Sequence, residues 1–489
     1  MRALVVLAAG LALPGVLPAL AAAGWSAVVV YLAPVIGTVM AAVAAEIELG
    51  LGGSVVPDYL AVAATVNITV IAWWVTVRRG TSSRHGQAPR TWGAWAWSVL
   101  AVIVVAGCLA VPLRALRGAF LTGDGNSIWT THALMVYGGH HALLSSLLNQ
   151  SYVISNPDYP PLVPAASALS FKFYGLGNLH LGVDMTVLVT ACALGVVAMG
   201  IVAVSDVAAA GRGARWPARV VAVAAAGAIG VVGFAVSGNY AIEGYADLVW
   251  AAFAVGAVIW GLVLPRSPRA LAVAWICAAA ASLTKNEGLT TALIIIVAIA
   301  LRYRPFSLPG PMARRWAERA VFVLLPALPG LAYAGMMRLL GVHDAFFTTG
   351  STETPLTRAT ATVAGMARFL HVAPLALAVL LAGCWFLRAD RQRAGLANPV
   401  WLWICGLGSL AVIFVTYVFG DLEIHGWLLH SVNRTTIFAQ VLLYTEIAVW
   451  LVIAAEGLFG RAPARADGEP APASEPMPEV RDSPRQPAG

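Results

Sequence analysis

The sequence predicts an all-α fold: a polytopic transmembrane helical bundle of about thirteen spans, with outer-face loops that carry juxtamembrane helices. Three observations carry this expectation. The 489 residues are 60% hydrophobic and only 11% charged, with a mean hydropathy of +0.80, whereas soluble domains carry roughly 25% charged residues. The apolar residues fall into separate runs of about 20, the length of a helix that crosses a bilayer. Arginines and acids sort into alternating loops. A water-soluble enzyme and a disordered chain are excluded. The formal charge of +7 reads as loop charge that sets topology, so no nucleic-acid partner is expected.

The apolar runs lie near residues 3–22, 25–45, 59–77, 94–112, 180–204, 218–237, 246–264, 270–284, 288–301, 320–340, 372–388, 399–418 and 437–457. The runs 270–284 and 288–301 are short, which predicts tilted or partly re-entrant segments. Arginine clusters at 78–90, 212–219, 266–269, 302–319 and 388–393 hold 17 of the 24 arginines before residue 461. The intervening loops hold most of the acids. By the positive-inside rule the arginine loops are cytoplasmic and the acidic loops face outward. Thirteen spans leave Arg2 outside, and the first segment also resembles a signal peptide with a cleavage site. The 17-arginine pattern outweighs that one residue.

Two lysines stand against 28 arginines, Lys172 and Lys285. With the abundant Ala, Gly and Val, this points to a GC-rich bacterial genome, and so to a bacterial inner membrane. The five cysteines lie inside apolar runs without ligand spacing and read as small buried hydrophobes.

Residues 1–92 form N-terminal transmembrane spans without an assigned role, and 93–460 form the main module. The first outer loop, 113–179, contains a surface helix over 127–149 that mixes aromatic residues with His132, His140 and His141. Repeated prolines then stop any helix near 157–164. A second outer loop, 341–371, is rich in Thr and Ser. The Pro- and Ala-rich tail, 461–489, is expected to be disordered and cytoplasmic.

Charge against hydrocarbon costs roughly 2.5–3.5 kcal/mol per residue at a helix centre. Polar groups that converge on one membrane face are therefore functional candidates. Asp124 stands in Gly123-Asp124-Gly125-Asn126-Ser127-Ile128-Trp129, where glycines permit unusual backbone angles and close approach of a ligand. Catalysis and a plain turn, with Ser127 capping the next helix, both fit that spacing. Asp158-Tyr159-Pro160-Pro161 reads as a rigid turn or as the wall of a substrate pocket, with Tyr159 stacking on a sugar or capping a lipid phosphate. Near Tyr245, Glu243 and Asp247 stand four apart and share a helical face if the helix starts early. Such acids can bind a metal, hold a hydroxyl, or simply favour a helix N-terminus.

Lys285, in Thr284-Lys285-Asn286-Glu287-Gly288, is basic on the acidic side. It needs a phosphate partner, or an ion pair with Glu287 or Asp247. The last outer loop carries His425 and Arg434. The guanidinium of Arg434 suits a phosphate; an interfacial anchor is the alternative.

Taken in order, these strings resemble the GT-C superfamily of polytopic glycosyltransferases, which includes protein mannosyltransferases and bacterial lipid-A aminoarabinose transferase. The likeness covers about residues 94–457. It rests on Gly-Asp-Gly-Asn-Ser-Ile-Trp after the first span of the bundle, Asp-Tyr-Pro-Pro-Leu-Val-Pro ending the first outer loop, Gly-Tyr-Ala-Asp followed by Leu-Thr-Lys-Asn-Glu-Gly-Leu, and Ser-Val-Asn-Arg-Thr in the last outer loop. The resemblance implies transfer of a sugar from a polyprenyl-phosphate-linked donor to the hydroxyl of a glycan, lipid or protein acceptor at the outer face. It implies Asp124 as general base and Lys285 with Arg434 as neutralisers of the lipid phosphate. Asp158, Tyr159, Glu243, Tyr245, Asp247 and His425 fall in the expected substrate pocket. A divalent cation could be held by Asp124, Glu243 or Asp247, and no cofactor is required.

Two other functions are weighed. A secondary transporter would place charges near the membrane midplane in two matching halves, but the charges here cluster at outer ends and no repeat is visible. A polysaccharide polymerase or ligase using a diphosphate-linked donor would carry its large loop nearer the C-terminus.

Overall fold

The computed structural model describes residues 2–80, 92–115, 123–176, 178–209, 216–303, 324–342, 353–369 and 373–459. Every regular element among them is helical. The N-terminal helices are α1 (Arg2–Ala23), α2 (Val29–Leu51), α3 (Val55–Gly80) and α4 (Trp92–Ala115). A π-helical turn, Gly125–Thr130, leads into two short helices, α5 (Thr131–Tyr137) and α6 (His140–Leu147). There follow α7 (Leu162–Tyr174), α8 (His180–Ala208), α9 (Trp216–Ser237), α10 (Asp247–Val258), α11 (Pro268–Ser282) and α12 (Asn286–Tyr303). The C-terminal part holds α13 (Leu328–Leu339), α14 (Pro355–Phe369), α15 (Ala373–Phe386), α16 (Arg388–Arg393), α17 (Val400–Phe419), α18 (Ile424–Thr435) and α19 (Ile437–Phe459).

By length and composition, 7 described helical stretches can cross a membrane, and α18 with α19 count as one of them. The apolar parts of α1, α4, α11 and α15, and of α10 with its π-helical end, are shorter, at 10–17 residues. This is the make-up of a multi-pass helical membrane protein. The arginine-bearing segments 81–91, 210–215 and 304–323, parts of the loop 341–371 (343–352 and 370–371) and the tail lie outside the described residues.

The surface helix expected over 127–149 is broken in two. Gly138-Gly139 separates α5 from α6, and Gly139 takes φ +87°. His132 is buried rather than interfacial, while His140 bonds through Nδ1 to the carbonyl oxygen of Glu48, at 2.8 Å.

Helix α10 is the centre of the bundle. All twelve of its residues are buried, which suits a helix apolar on every side except its first residue. It packs against α8, α11, α12 and α19, with Trp250 tilted on Phe438 at 6.0 Å. The N-terminal helices belong to the same packing: α2 lies against α7 and α8, and α1 reaches α11. Helices before residue 92 thus pack directly against helices after it.

The two ends of α10 differ in chemistry. At its C-terminal end, Arg302 donates to the carbonyl oxygens of Gly261 and Leu264, at 2.7 Å each, which closes the π-helical extension Ile259–Val263. Nearby, Ala397 N–H bonds to the Val263 carbonyl. Acids and their partners gather at the N-terminal end.

Candidate active site

Asp247 is the first residue of α10, where the helix dipole favours an anion. Lys285 immediately precedes α12, where the same dipole disfavours a cation, and Glu287 stands in that helix's first turn. Arg434 occupies the last turn of α18, where a cation is favoured. Local electrostatics therefore seat three of these four charges, and Lys285 depends on its partners.

Those partners form one network. Lys285 Nζ lies 2.8 Å from Asp247 Oδ1 and 3.1 Å from Glu287 Oε1. Arg434 Nε lies 2.9 Å from Asp247 Oδ2, and its Nη2 lies 2.5 Å from Asp124 Oδ2. Asp247 is only 2% exposed and Lys285 3%, against 29% for Asp124. Burial opposes the charge on Lys285, but Asp247 and Glu287 outweigh it and hold the ammonium above its ordinary range. Both ion pairs considered for Lys285 are made. Arg434 does not reach for the interface; its guanidinium lies over Tyr245 at 4.7 Å.

Asp124 makes no side-chain cap. Ser127 Oγ instead donates to the Gly123 carbonyl, at 2.9 Å. The glycines beside Asp124 serve close approach. A Cβ at Gly123 would stand 2.2 Å from the Tyr245 hydroxyl, and one at Gly125 would stand 2.0 Å from the Glu243 carbonyl oxygen. The Asp124 N–H donates to Tyr245 Oη at 3.2 Å. Burial raises the Tyr245 phenol, which stays neutral and able to accept. The Gly-Asp-Gly turn is thus clamped on the segment that precedes Asp247.

The Asp-Tyr-Pro-Pro turn docks on the lysine segment. Leu162 N–H bonds to the Leu283 carbonyl, and Asn286 Nδ2 donates to Asp158 Oδ2 at 2.5 Å. Burial raises the Asp158 carboxyl, and the Asn286 bond partly offsets it. Tyr159 is stacked on Trp129 at 5.6 Å, and Lys285 Nζ stands 5.3 Å from its ring centroid.

Asp124, Tyr159, Lys285 and Arg434 all face one cavity of about 600 Å³, within the range of small-molecule sites. Tyr417, Trp427 and His430 also line it. Tyr417 Oη is bonded to Ser431 Oγ at 2.6 Å. A second cavity of about 180 Å³, between α15, α17 and α19, is lined by apolar side chains and Glu446 and contains none of these groups.

Several expected residues sit elsewhere. Glu243 and Asp247 do not share a helical face, because Gly244 at φ +91° separates them and α10 begins only at Asp247. Asp158 stands behind the cavity wall rather than in it. His425 is exposed and outside the cavity; His430, five residues on, lines it. The expected metal ligands do not cluster: Arg434 lies between Asp124 and Asp247, and both Asp247 oxygens meet cations. Among the described residues, Glu353, Glu423 and His425 are the acids and histidine whose ligand atoms lie within 4.8 Å of one another. The Glu423 carboxylate there accepts from the N–H groups of His425 and Gly426, which holds its pKa down.

Arg338 and Tyr417 line the cavity without having been singled out from sequence; Asn286, Trp427 and His430 stand in the polar strings around Lys285 and Arg434 and also line it. Arg338 carried a usable signal: it is basic near the C-terminal end of the apolar run 320–340, as Lys285 is just past the run 270–284. No family model, curated protein or solved structure matches the chain.

Proposed function

We propose that this protein is a membrane glycosyltransferase of GT-C type, moving a sugar from a polyprenyl-phosphate-linked donor to an acceptor hydroxyl. The observation that carries the reading is the union of Asp124, Arg434 and Lys285, which all line one cavity, in one network held from behind by the buried Asp247. Those charges come from four segments far apart in sequence.

In the proposed reaction the acceptor oxygen attacks the anomeric carbon and the bond from that carbon to the phosphate oxygen breaks. Asp124 takes the acceptor proton, and its 29% exposure leaves it reachable from the cavity. The leaving phosphate is already a stable anion, so no general acid is needed. Arg434 and Lys285 provide fixed positive charge beside it. Asp247 positions both cations and does not touch substrate. Tyr159 and Trp427 offer aromatic faces to a sugar ring.

The proposal includes the finer topology: about thirteen crossings, the network at the outer face of a bacterial inner membrane, and the arginine loops inside. Membrane lipids and a glycan, lipid or protein acceptor are the implied partners. The test is the Asp124→Asn variant, reconstituted with a polyprenyl-phosphate sugar. It is expected to fold and bind donor while transfer falls by about 10²–10⁴-fold; transfer at the wild-type rate would remove Asp124 from the mechanism.

A further inference from the structure

The cations of the network are outnumbered by its carboxylates. Lys285 and Arg434 meet three carboxylates: Asp247 holds both, Glu287 takes a second contact from Lys285, and Asp124 takes one from Arg434. Two cations against three carboxylates leave one negative charge. A phosphate that takes donors from Lys285 and Arg434 therefore still needs a further cation facing the cavity to balance its charge.

Arg338 is that cation. It stands in the last turn of α13, lines the same cavity and is exposed. Among the described residues its guanidinium has no acidic partner. Lys285 and Arg434 are already committed to carboxylates and keep only part of their donors for a ligand, whereas among the described residues Arg338 has no carboxylate to leave. Its planar fork matches two phosphate oxygens. His430, which also lines the cavity, adds charge only when protonated.

We infer that Arg338 receives the phosphate of the lipid-linked donor, and that the site is built for a singly charged phosphodiester rather than a diphosphate. This rests on the glycosyltransferase reading. With Arg338 counted, three cations balance three carboxylates, and the donor's single charge is met by Arg338 itself. Among the described residues lining the cavity, the further charges of a diphosphate would find only His430, and that only when protonated, as counter-charge.

The test is binding to the full-length protein in nanodiscs of three short probes: an isoprenyl methyl phosphate, an isoprenyl diphosphate and the uncharged isoprenol. Wild type is expected to hold the phosphodiester about tenfold or more above the alcohol, and the diphosphate no more tightly than the phosphodiester. R338Q is expected to lose about tenfold for the phosphodiester and nothing for the alcohol, while R338K, which keeps the charge but not the fork, loses only a few-fold. Undiminished preference for the phosphodiester in folded R338Q overturns the role of Arg338. Tighter binding of the diphosphate by wild type overturns the single-charge capacity. A wild type that does not distinguish phosphodiester from alcohol overturns the glycosyltransferase reading instead. If R338Q fails to fold, the R338K loss and the wild-type diphosphate comparison carry the test, and equal affinity of R338K and wild type counts against the fork.

Discussion

Asp247→Asn strikes the network at its buried hinge. The side chain keeps its shape but loses its charge, and its new amide N–H₂ must face either Lys285 Nζ or Arg434 Nε, both donors that now sit 2.8 and 2.9 Å from the carboxylate. Removing one member of a buried, hydrogen-bonded ion pair costs about 3–5 kcal/mol. The lower end of that range is expected here. Lys285 keeps Glu287 and Arg434 keeps Asp124, but these are the more solvent-exposed partners, at 24% and 29%, where water weakens a pair. A double-mutant cycle with Lys285→Met isolates the contact, measured by denaturant or thermal unfolding in detergent under reversible conditions. A coupling energy of about 2 kcal/mol or more between the two positions is expected. Additivity within about 0.5 kcal/mol would show that Asp247 does not hold Lys285, and the positioning argument would fail with it.

Gly125→Ala puts a methyl 2.0 Å from the Glu243 carbonyl oxygen; overpacking of this kind costs about 1–3 kcal/mol, read as a lower unfolding temperature together with a lower transfer rate. Tyr245→Phe removes the acceptor for the Asp124 N–H and should cost about 1 kcal/mol in stability, with a larger loss of transfer than of donor binding. His132 is buried and burial lowers its pKa from 6.5 to about 4. The unfolded chain therefore takes a proton that the native state refuses, and stability falls as pH drops from about 6.5 through about 4, by up to about 3 kcal/mol; His132→Phe should flatten that slope in a pH series of melting curves. Arg358, 1% exposed, donates to the carbonyl oxygens of Tyr417, Val418 and Leu422 at the end of α17. Arg358→Met should leave those acceptors unpaired at a cost of about 3 kcal/mol, measured by unfolding.

Much of this arrangement was legible in the sequence because charge in hydrocarbon is expensive. Lys285 and Arg434 stood out as basic residues among outer acids, and the structure pairs both with carboxylates. Apolar runs located the helices, but not their lengths: the apolar parts of α10 with its π-helical end and of α11 are 10–17 residues long, because composition marks burial and not where backbone turns end a helix. The role of Asp247 was hidden, since four-residue spacing from Glu243 suggests a shared face and only the backbone angle at Gly244 removes it. His425 and His430 occupy the same loop with similar surroundings in sequence, and helix rotation alone decides which faces the cavity. Tyr417 enters the site through packing between segments distant along the chain, which no local spacing encodes.

The central claim is that Asp124 and the Asp247-anchored cations form one donor site. A structure of the protein in lipid with a non-transferable polyprenyl-phosphate sugar tests it most directly. The account predicts the sugar inside the cavity bounded by Tyr159 and Trp427, with the anomeric carbon on the Asp124 side and the phosphate toward Arg434 and Arg338. A donor bound at the opposite end of α10, or a phosphate out of reach of all three cations, would contradict it.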